Sequence, residues 1–196
     1  MSIQNNRHFL LWNLGISPPE TQTTAAERDC IAKYAAGKSN LAEIGVWHGV
    51  TTSRIRRAMS PDGTLFAVDP FQRSKLGFSK AKMIAEKEVG KVSNGRVVWL
   101  RMSGMEAAAH LLGTRLIDFA FIDGDHSFEG IEADWNGWTK LLSHGGVIAL
   151  HDSRSTPDRL IDDAGSVRFT REIILNDPNF EVIEEVDSLT VLRYRK

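Results

Sequence analysis

The sequence has little of three features that would assign it to a class. It holds a single cysteine, Cys30, in 196 residues, which excludes an internal disulfide and a cysteine-rich metal site. Its formal net charge is -1, so no excess of positive charge points to nucleic acid or to an anionic membrane as a partner. The N-terminal apolar patch, Phe9 to Trp12, is too short for a signal-peptide core or a membrane span. We therefore expect a soluble, cytoplasmic protein with a small-molecule ligand.

Length and composition fit one globular domain. The chain is 42% hydrophobic and 25% charged, and domains commonly run to roughly 100–200 residues. We expect a single domain over 1–196, with an N-terminal cover at 1–37 and a sheet core at 38–196. In the cover, Thr24 and Glu27 have the spacing of a capping box that begins a helix. The residues before it either cover one end of the core or form a lid or dimer arm over the site, so a homo-oligomer stays open.

Strand patterns alternate with helix patterns along most of the chain. The seven predicted strands are Asn40 to Val46, Gly63 to Val68, Gly95 to Arg101, Leu116 to Ile122, Val147 to Leu150, Phe180 to Val186 and Leu189 to Tyr194. Helix patterns separate the first five, which predicts parallel strands joined by right-handed crossovers and an α/β fold. A short turn at 187–188 joins the last two, which predicts an antiparallel hairpin.

The most informative stretch runs from 116 to 153 and holds two strands that each end in polar residues. The first strand stops at the sequence DGDH, residues 123–126, and the second at HDS, residues 151–153. Between them, Ile131, Trp135, Trp138 and Leu142 lie at helical spacing, which predicts a core-facing helix that ends at Gly145-Gly146. Since the two strands are parallel, both polar clusters should meet at the carboxyl edge of the sheet, where open α/β sheets bind ligands.

A glycine-containing turn follows the first predicted strand. Glu43, Gly45 and Gly49 form the pattern E-x-G-x-x-x-G, in which glycine lets the backbone approach a ligand and the carboxylate accepts hydrogen bonds. The dinucleotide fingerprint G-x-G-x-x-G is absent, so this turn alone is a weak signal. Asp69 ends the second strand, and an acidic residue there commonly holds the two hydroxyls of a ribose.

Together these residues resemble the class I S-adenosylmethionine-dependent methyltransferases. The resemblance covers Leu41 to Ser153, and the sequences FIDGDHSFEG and GGVIALHD resemble the subgroup that includes metal-dependent O-methyltransferases of sugars and antibiotic precursors. It implies a Rossmann-like three-layer sandwich. Its sheet would have seven mostly parallel strands in the order 3-2-1-4-5-7-6, with an antiparallel C-terminal strand.

The resemblance also implies which residues bind S-adenosylmethionine. Those that would line its methionine half are Glu43, Gly45 and Gly49. Asp69 would bind the ribose, and Met102 and Ser103 would lie beside the adenine. Asp123 would face the reacting centre, where the methyl group leaves the cofactor.

The resemblance implies that Asp123 and His126 are the catalytic residues. His126 would be the general base, because imidazole side chains exchange protons near neutral pH. Asp123, His151 and Asp152 would hold a divalent cation. Carboxylates favour Mg²⁺ or Mn²⁺, whereas His151, where such relatives usually have Asp or Glu, favours a transition metal. A hydrogen-bonded turn without any metal is the alternative.

The expected reaction is methyl transfer to a hydroxyl of a small molecule or a sugar. A bound cation would make that hydroxyl more acidic, and the protein would align it with the methyl group. Two other functions stay open. One is a nicotinamide-dependent oxidoreductase on a similar sheet, and the other is a protein that binds S-adenosylmethionine without catalysis.

Overall fold

The computed structural model of the protein describes residues 3–74 and 77–195. Its seven strands are β1 (Asn40–Ile44), β2 (Thr64–Val68), β3 (Arg96–Leu100), β4 (Ile117–Ile122), β5 (Leu142–Leu150), β6 (Phe180–Val186) and β7 (Leu189–Tyr194). The α-helices of this part of the chain are α1 (Ile3–Asn13), α2 (Ala25–Ala35), α3 (Val50–Ala58), α4 (Lys80–Gly90), α5 (Gly104–Leu111), α6 (Phe128–Trp138) and α7 (Gly165–Glu172).

All seven strands form one sheet in the order β3-β2-β1-β4-β5-β7-β6. Strands β1 to β5 pair in parallel, and β7 is antiparallel to both β5 and β6. This confirms the predicted order and the C-terminal hairpin. The parallel pairing places the carboxyl ends of β1 to β5 at one edge, as the crossover connections require.

Helices cover both faces of the sheet. On one face, α2 and α3 pack together over a core that contains Ile31 and Ile55. On the other, α5, α6 and α7 pack together over a second core that contains Trp135, Trp138 and Phe169. The two tryptophans are buried, which confirms their predicted place in the core. The result is the predicted three-layer sandwich.

The end of α6 differs from the prediction. The helix ends at Trp138, a short 3₁₀ turn follows, and β5 already begins at Leu142. Leu142 pairs with Ile117, and the register of β4 and β5 then shifts. Gly145 has a φ of +71°, so the glycine pair forms an irregularity within the strand and does not end the helix.

The N-terminal helix α1 is absent from the sequence-based prediction. Its Trp12 is buried, and the indole N–H donates to Glu88 Oε1 at 3.1 Å. Lys87 Nζ lies 4.6 Å from the centroid of the same ring. Helix α1 therefore packs against α4. Among the described residues, no helix has both the length and the apolar character needed to cross a membrane.

Candidate functional site

A cavity of about 770 Å³ opens at the carboxyl edge of the sheet. Of the residues that the sequence predicts for the site, those that line it are Glu43, Gly45, Asp69, Ser103, Asp123 and His126. Four others lie outside the lining: Gly49, Met102, His151 and Asp152. The carboxyl ends of β1, β2 and β4 thus supply the walls, as the topology predicts.

Gly45 brings the turn after β1 against the end of β4. Its φ is +90°, and a Cβ atom at this position would lie 2.0 Å from the backbone oxygen of Asp123. Its N–H donates to Val68 O at 2.9 Å, which also ties the turn to β2. Only glycine fits this contact, so the sequence pattern reflects a real steric requirement.

We expect Gly45→Ala to be far more destabilising than Gly113→Ala, which serves as a matched control. Gly113 has a similar φ of +76°, but a Cβ atom there would meet nothing within 4 Å. The control should therefore cost only the backbone strain, about 1–2 kcal/mol. The overlap with Asp123 should add about 1–3 kcal/mol for Gly45→Ala. Urea denaturation measures both, and equal losses would show that the close approach is unimportant.

Glu43 is a fully buried carboxyl group in the lining of the cavity. Its exposed fraction is 0%, and neither side-chain oxygen has a hydrogen-bond partner within residues 3–74 and 77–195. Burial raises the pKa of Glu43 well above its ordinary value, although the neighbouring Thr52 hydroxyl acts in the opposite direction, and the charges of Asp123 and Asp69 raise the pKa further. An unpaired polar group of this kind is costly, so its place in the lining points to a ligand that carries a donor.

Asp69 holds the turn after β1 as well as lining the cavity. The N–H groups of Val46 and Trp47 donate to its Oδ2 at 3.1 and 3.0 Å, and the N–H of Phe71 donates to its Oδ1 at 2.6 Å. Each carboxylate oxygen can accept more than one hydrogen bond. Asp69 therefore retains acceptor capacity towards the cavity.

Two of the predicted cofactor residues, Gly49 and Met102, lie outside the cavity lining and make structural contacts, so their cofactor roles stay predictions. A Cβ atom at Gly49 would lie 3.0 Å from Ala85 Cα and 3.0 Å from Val89 Cγ2, so this glycine lets α3 pack against α4. Met102 is partly buried and packs against the core beneath α5 and α6. Their positions illustrate that sequence spacing alone does not show which residues at a strand end face the cavity.

Ser103 lines the cavity, but its hydroxyl already has partners. It is the N-cap of α5: the N–H of Glu106 donates to Ser103 Oγ, and Ser103 Oγ donates to Glu106 Oε2 at 2.8 Å. Its backbone N–H also donates to Glu106 Oε2. These bonds form a reciprocal capping box. The hydroxyl and the N–H of Ser103, which the sequence predicts to lie beside adenine, are therefore already engaged in capping α5.

Behind Asp123, a buried histidine lies among three carboxylates. The side chain of His151 is 0% exposed. Its Nδ1 is 2.8 Å from Asp123 Oδ1 and 3.7 Å from Asp152 Oδ1, and its Nε2 is 3.3 Å from Glu27 Oε2. The predicted residues Asp123, His151 and Asp152 do come together. Glu27, which sequence analysis assigns only to a helix cap, completes the cluster.

The charges of this cluster stabilise one another. Burial alone would lower the pKa of His151, but Asp123, Glu27 and Asp152 outweigh it and raise that pKa to about 10. Burial alone would raise the pKa of Glu27, but His151, the Thr24 backbone and Ser188 lower it to about 2. These charges favour the imidazolium form of His151, which forms a hydrogen bond with Asp123 through Nδ1 and lies within ion-pair distance of Glu27 through Nε2.

The same cluster also carries donor atoms that a divalent cation could use. One ligand atom each from Asp123, His126 and His151 lies within 4.8 Å of the others, a spacing that a cation could bridge. However, a protonated His151 has no lone pair to offer, and Arg159 donates to Asp152 Oδ2. A cation would require His151 to lose its proton. The predicted set of Asp123, His151 and Asp152 stays a prediction.

His126 is a cavity-lining histidine next to Asp123. Its side chain is 36% exposed, and its Nε2 lies 3.5 Å from Asp123 Oδ1. Its Nδ1 lies 4.0 Å from Asp152 Oδ2. A half-exposed imidazole beside a carboxylate anchored by His151 can accept a proton from a ligand and hold it. The structure thus gives the two histidines different environments.

Helix α1 reaches the opening of the cavity. The rings of His8 and His48 stack with their centroids 5.3 Å apart, and His48 also stacks on Trp47 at 4.7 Å. The N–H of Glu20 donates to His48 Nδ1 at 3.1 Å. Burial and the neighbouring His8 lower the pKa of His48 to about 4. The N-terminal residues therefore both pack on α4 and border the site.

Asp134 is a cavity residue that the sequence-based prediction missed. It lies on the buried face of α6 with Ile131, Trp135 and Trp138, and its carboxylate lines the cavity near Ser103. The signal was available, because a charged residue on the apolar face of an amphipathic helix is unusual. The two tryptophans on that face instead predict that the face of α6 belongs entirely to the core.

Comparison with known proteins agrees with this geometry. A family model described as a methyltransferase domain matches residues 42–153. Among solved structures, the O-methyltransferase TomG from Streptomyces achromogenes, in complex with S-adenosylmethionine, superimposes with a TM-score of 0.71 at 17% identity, covering 98% of this chain and 89% of TomG. An O-methyltransferase from Bacillus cereus, in complex with S-adenosylhomocysteine, gives 0.66 at 18% identity, covering 99% of this chain and 92% of the other. The chain belongs to the methyltransferase-domain family and has the fold of the class I S-adenosylmethionine-dependent enzymes.

Proposed function

We propose that the protein transfers a methyl group from S-adenosylmethionine to a hydroxyl oxygen of a small molecule or sugar. The observation that carries the proposal is Glu43, a buried carboxyl group in the cavity lining whose oxygens make no hydrogen bond of good geometry within residues 3–74 and 77–195. The methionine part of the cofactor ends in an ammonium group, which is the donor that such a carboxyl lacks.

The residues around Glu43 fit the rest of the cofactor. Gly45 lets the turn after β1 lie directly against the backbone of Asp123, which brings both residues together in the cavity lining. Asp69 lies at the next strand end with acceptor capacity for ribose hydroxyls. When bound, the cofactor supplies a methyl group already activated on a sulfonium. The protein then has to position the acceptor and remove its proton.

His126 and Asp123 are the residues that we propose to remove the proton from the acceptor hydroxyl. His126 is exposed to the cavity and lies 3.5 Å from Asp123, so its imidazole can take the hydroxyl proton while the carboxylate stabilises the resulting imidazolium. His151 fixes Asp123 from behind at 2.8 Å. This assignment needs no metal. A Mg²⁺ or Mn²⁺ ion held by Asp123, His151 and Asp152 is the alternative that the sequence predicts.

The nature of the acceptor is proposed from the site and from similar structures. TomG is described as involved in tomaymycin synthesis, which favours a small organic acceptor for this chain too. On one side the cavity lining carries Asp123, Asp125 and His126, whose side chain is 36% exposed. We expect a hydroxylated small molecule or a sugar to bind on that side.

S-adenosylhomocysteine is expected to raise the melting temperature, and Glu43→Gln is expected to weaken its binding. At 100 times Kd, a ligand stabilises the folded state by about 2.7 kcal/mol, or roughly 5–10 °C for a chain of this size. Loss of a charged acceptor costs about 1.5–3 kcal/mol, or about 10- to 150-fold in Kd. Calorimetry measures both effects, with NAD⁺ as the control ligand.

The controls separate the outcomes. The melting temperature of unliganded Glu43→Gln reports whether the variant still folds. If S-adenosylhomocysteine gave neither heat nor thermal shift with the wild type, the proposal would be wrong, and binding of NAD⁺ instead would favour the oxidoreductase. Unchanged affinity in Glu43→Gln would leave the cofactor but remove the assigned role of Glu43.

A further inference from the structure

Asp134 is a second unpartnered carboxyl group in the cavity. Its exposed fraction is 6%, and that remaining surface faces the cavity that it lines. Within residues 3–74 and 77–195 it makes no hydrogen bond and no ion pair. Its place on α6, next to the start of α5, puts it at a different part of the cavity from Glu43. The proposed function gives it no role so far.

The surroundings of Asp134 are shaped to hold a carboxylate. A Cβ atom at Gly104 would lie 2.1 Å from Asp134 Oδ1, and one at Gly124 would lie 3.2 Å from Asp134 Oδ2. The absence of side chains at these two positions therefore makes the space that the carboxylate occupies. Ile131 and Trp135, on the same face of α6, are buried and hold the helix against the core.

A carboxyl group in this position is costly unless a ligand supplies a donor. Burial raises the pKa of Asp134 to about 6, and the charge of Asp125 acts in the same direction. An apolar residue would suit the buried face of α6 better if nothing bound there. The presence of an acidic group at this position therefore indicates a hydrogen-bond donor on the ligand.

The order of the cavity residues indicates which part of the cofactor lies beside Asp134. The ribose of S-adenosylmethionine lies between its methionine and adenine parts. With the ammonium at Glu43 and the ribose at Asp69, the base extends towards the turn between β3 and α5, where Ser103 and Gly104 line the cavity. Asp134 lies against Gly104 there. The hydroxyl of Ser103 is already engaged by Glu106.

We propose that Asp134 accepts a hydrogen bond from the 6-amino group of adenine and so makes the cavity selective for an adenine cofactor. That amino group is the only N–H donor on the base, since the ring nitrogens N1, N3 and N7 are acceptors. A carboxylate, which when ionised only accepts, therefore distinguishes adenine by this one group. The inference rests on the proposed function, because it takes S-adenosylmethionine as the ligand.

The test changes both sides of the proposed contact. Calorimetry compares S-adenosylhomocysteine with its 6-deamino analogue, in which hydrogen replaces the amino group, on the wild type, Asp134→Ala, Asp134→Asn and Glu132→Gln. Glu132 is an exposed acid on the same helix and serves as the matched control. A thermodynamic cycle over the protein and ligand changes isolates the contact between the two groups.

The wild type and Glu132→Gln should bind S-adenosylhomocysteine about 10-fold or more tightly than the analogue, as expected for a hydrogen bond to a charged acceptor. Asp134→Ala should bind both ligands within about 3-fold of each other, and Asp134→Asn, which keeps an acceptor oxygen, should retain part of the preference. Melting curves show whether each variant folds.

Two results would overturn the inference in distinguishable ways. If the wild type bound S-adenosylhomocysteine but Asp134→Ala and Asp134→Asn kept the full preference for the amino group, the proposed function would stand and the role of Asp134 would be wrong. The same conclusion would follow if the wild type bound both ligands equally. If the wild type bound neither ligand, the proposed function itself would be wrong, and the inference with it.

Discussion

Replacing His151 with glutamine is expected to lower the free energy of unfolding by about 3–5 kcal/mol, the usual cost of removing one partner from a buried ion pair. The side chain of His151 is 0% exposed and lies 2.8 Å from Asp123 and 3.3 Å from Glu27. Without the imidazolium, the Glu27 carboxylate, which is itself 1% exposed, loses its only opposite charge in the cluster. Urea denaturation at pH 7 measures the loss.

His126→Gln is the matched control for this prediction. His126 also contacts Asp123, but its side chain is 36% exposed and lies at the cavity surface. Exposed ion pairs contribute little, so we expect its replacement to change stability by less than about 0.5 kcal/mol. A small effect of His151→Gln, similar to that of His126→Gln, would contradict the assignment of His151 as a buried cationic bridge.

The pH dependence of the same pair has a defined sign. The pKa of His151 is raised to about 10, so its contribution is fully present below the unfolded value near 6.5 and is lost as the pH rises through 10. The pKa of Glu27 is lowered to about 2, so its contribution is present above about 4.5 and is lost as the pH falls through 2. The stability difference between wild type and His151→Gln should therefore shrink from pH 7 to pH 10. A constant difference over that range would show that the imidazole is neutral.

The sheet and its functional edge could be predicted from the sequence because local patterns determine them. The apolar run that ends at Asp123 and the glycine turn at Gly45 each give a strand with a fixed end, and parallel connection then brings those ends together. Helix α1 could not be predicted in this way. It is stabilised by a tertiary contact, the hydrogen bond from Trp12 to Glu88, which leaves no periodic pattern in its own sequence.

The roles of individual site residues were harder to predict than their positions. His151 follows a strand, as expected, yet its environment depends on Glu27, which comes from a helix far earlier in the chain. Gly49 is in the expected turn, but the space it leaves is filled by α4. In both cases the sequence places the residue correctly, whereas its function depends on a partner from another element that spacing does not show.

The last prediction separates base catalysis by His126 from catalysis by a metal ion. His126 lines the cavity 3.5 Å from Asp123, and His151 holds Asp123 from the other side at 2.8 Å. We therefore expect His126→Ala to lower kcat by roughly 10²–10⁴, with unchanged affinity for S-adenosylhomocysteine, and added imidazole to restore part of the rate. Excess chelator should leave the wild-type rate unchanged. The assay follows methyl transfer to an acceptor found by screening sugars and phenols.

The contradicting outcome is activity that is lost in chelator and restored by Mg²⁺ or Mn²⁺. That result would establish the cation that the sequence predicts at Asp123, His151 and Asp152. The bound cation would then be the group that makes the hydroxyl reactive.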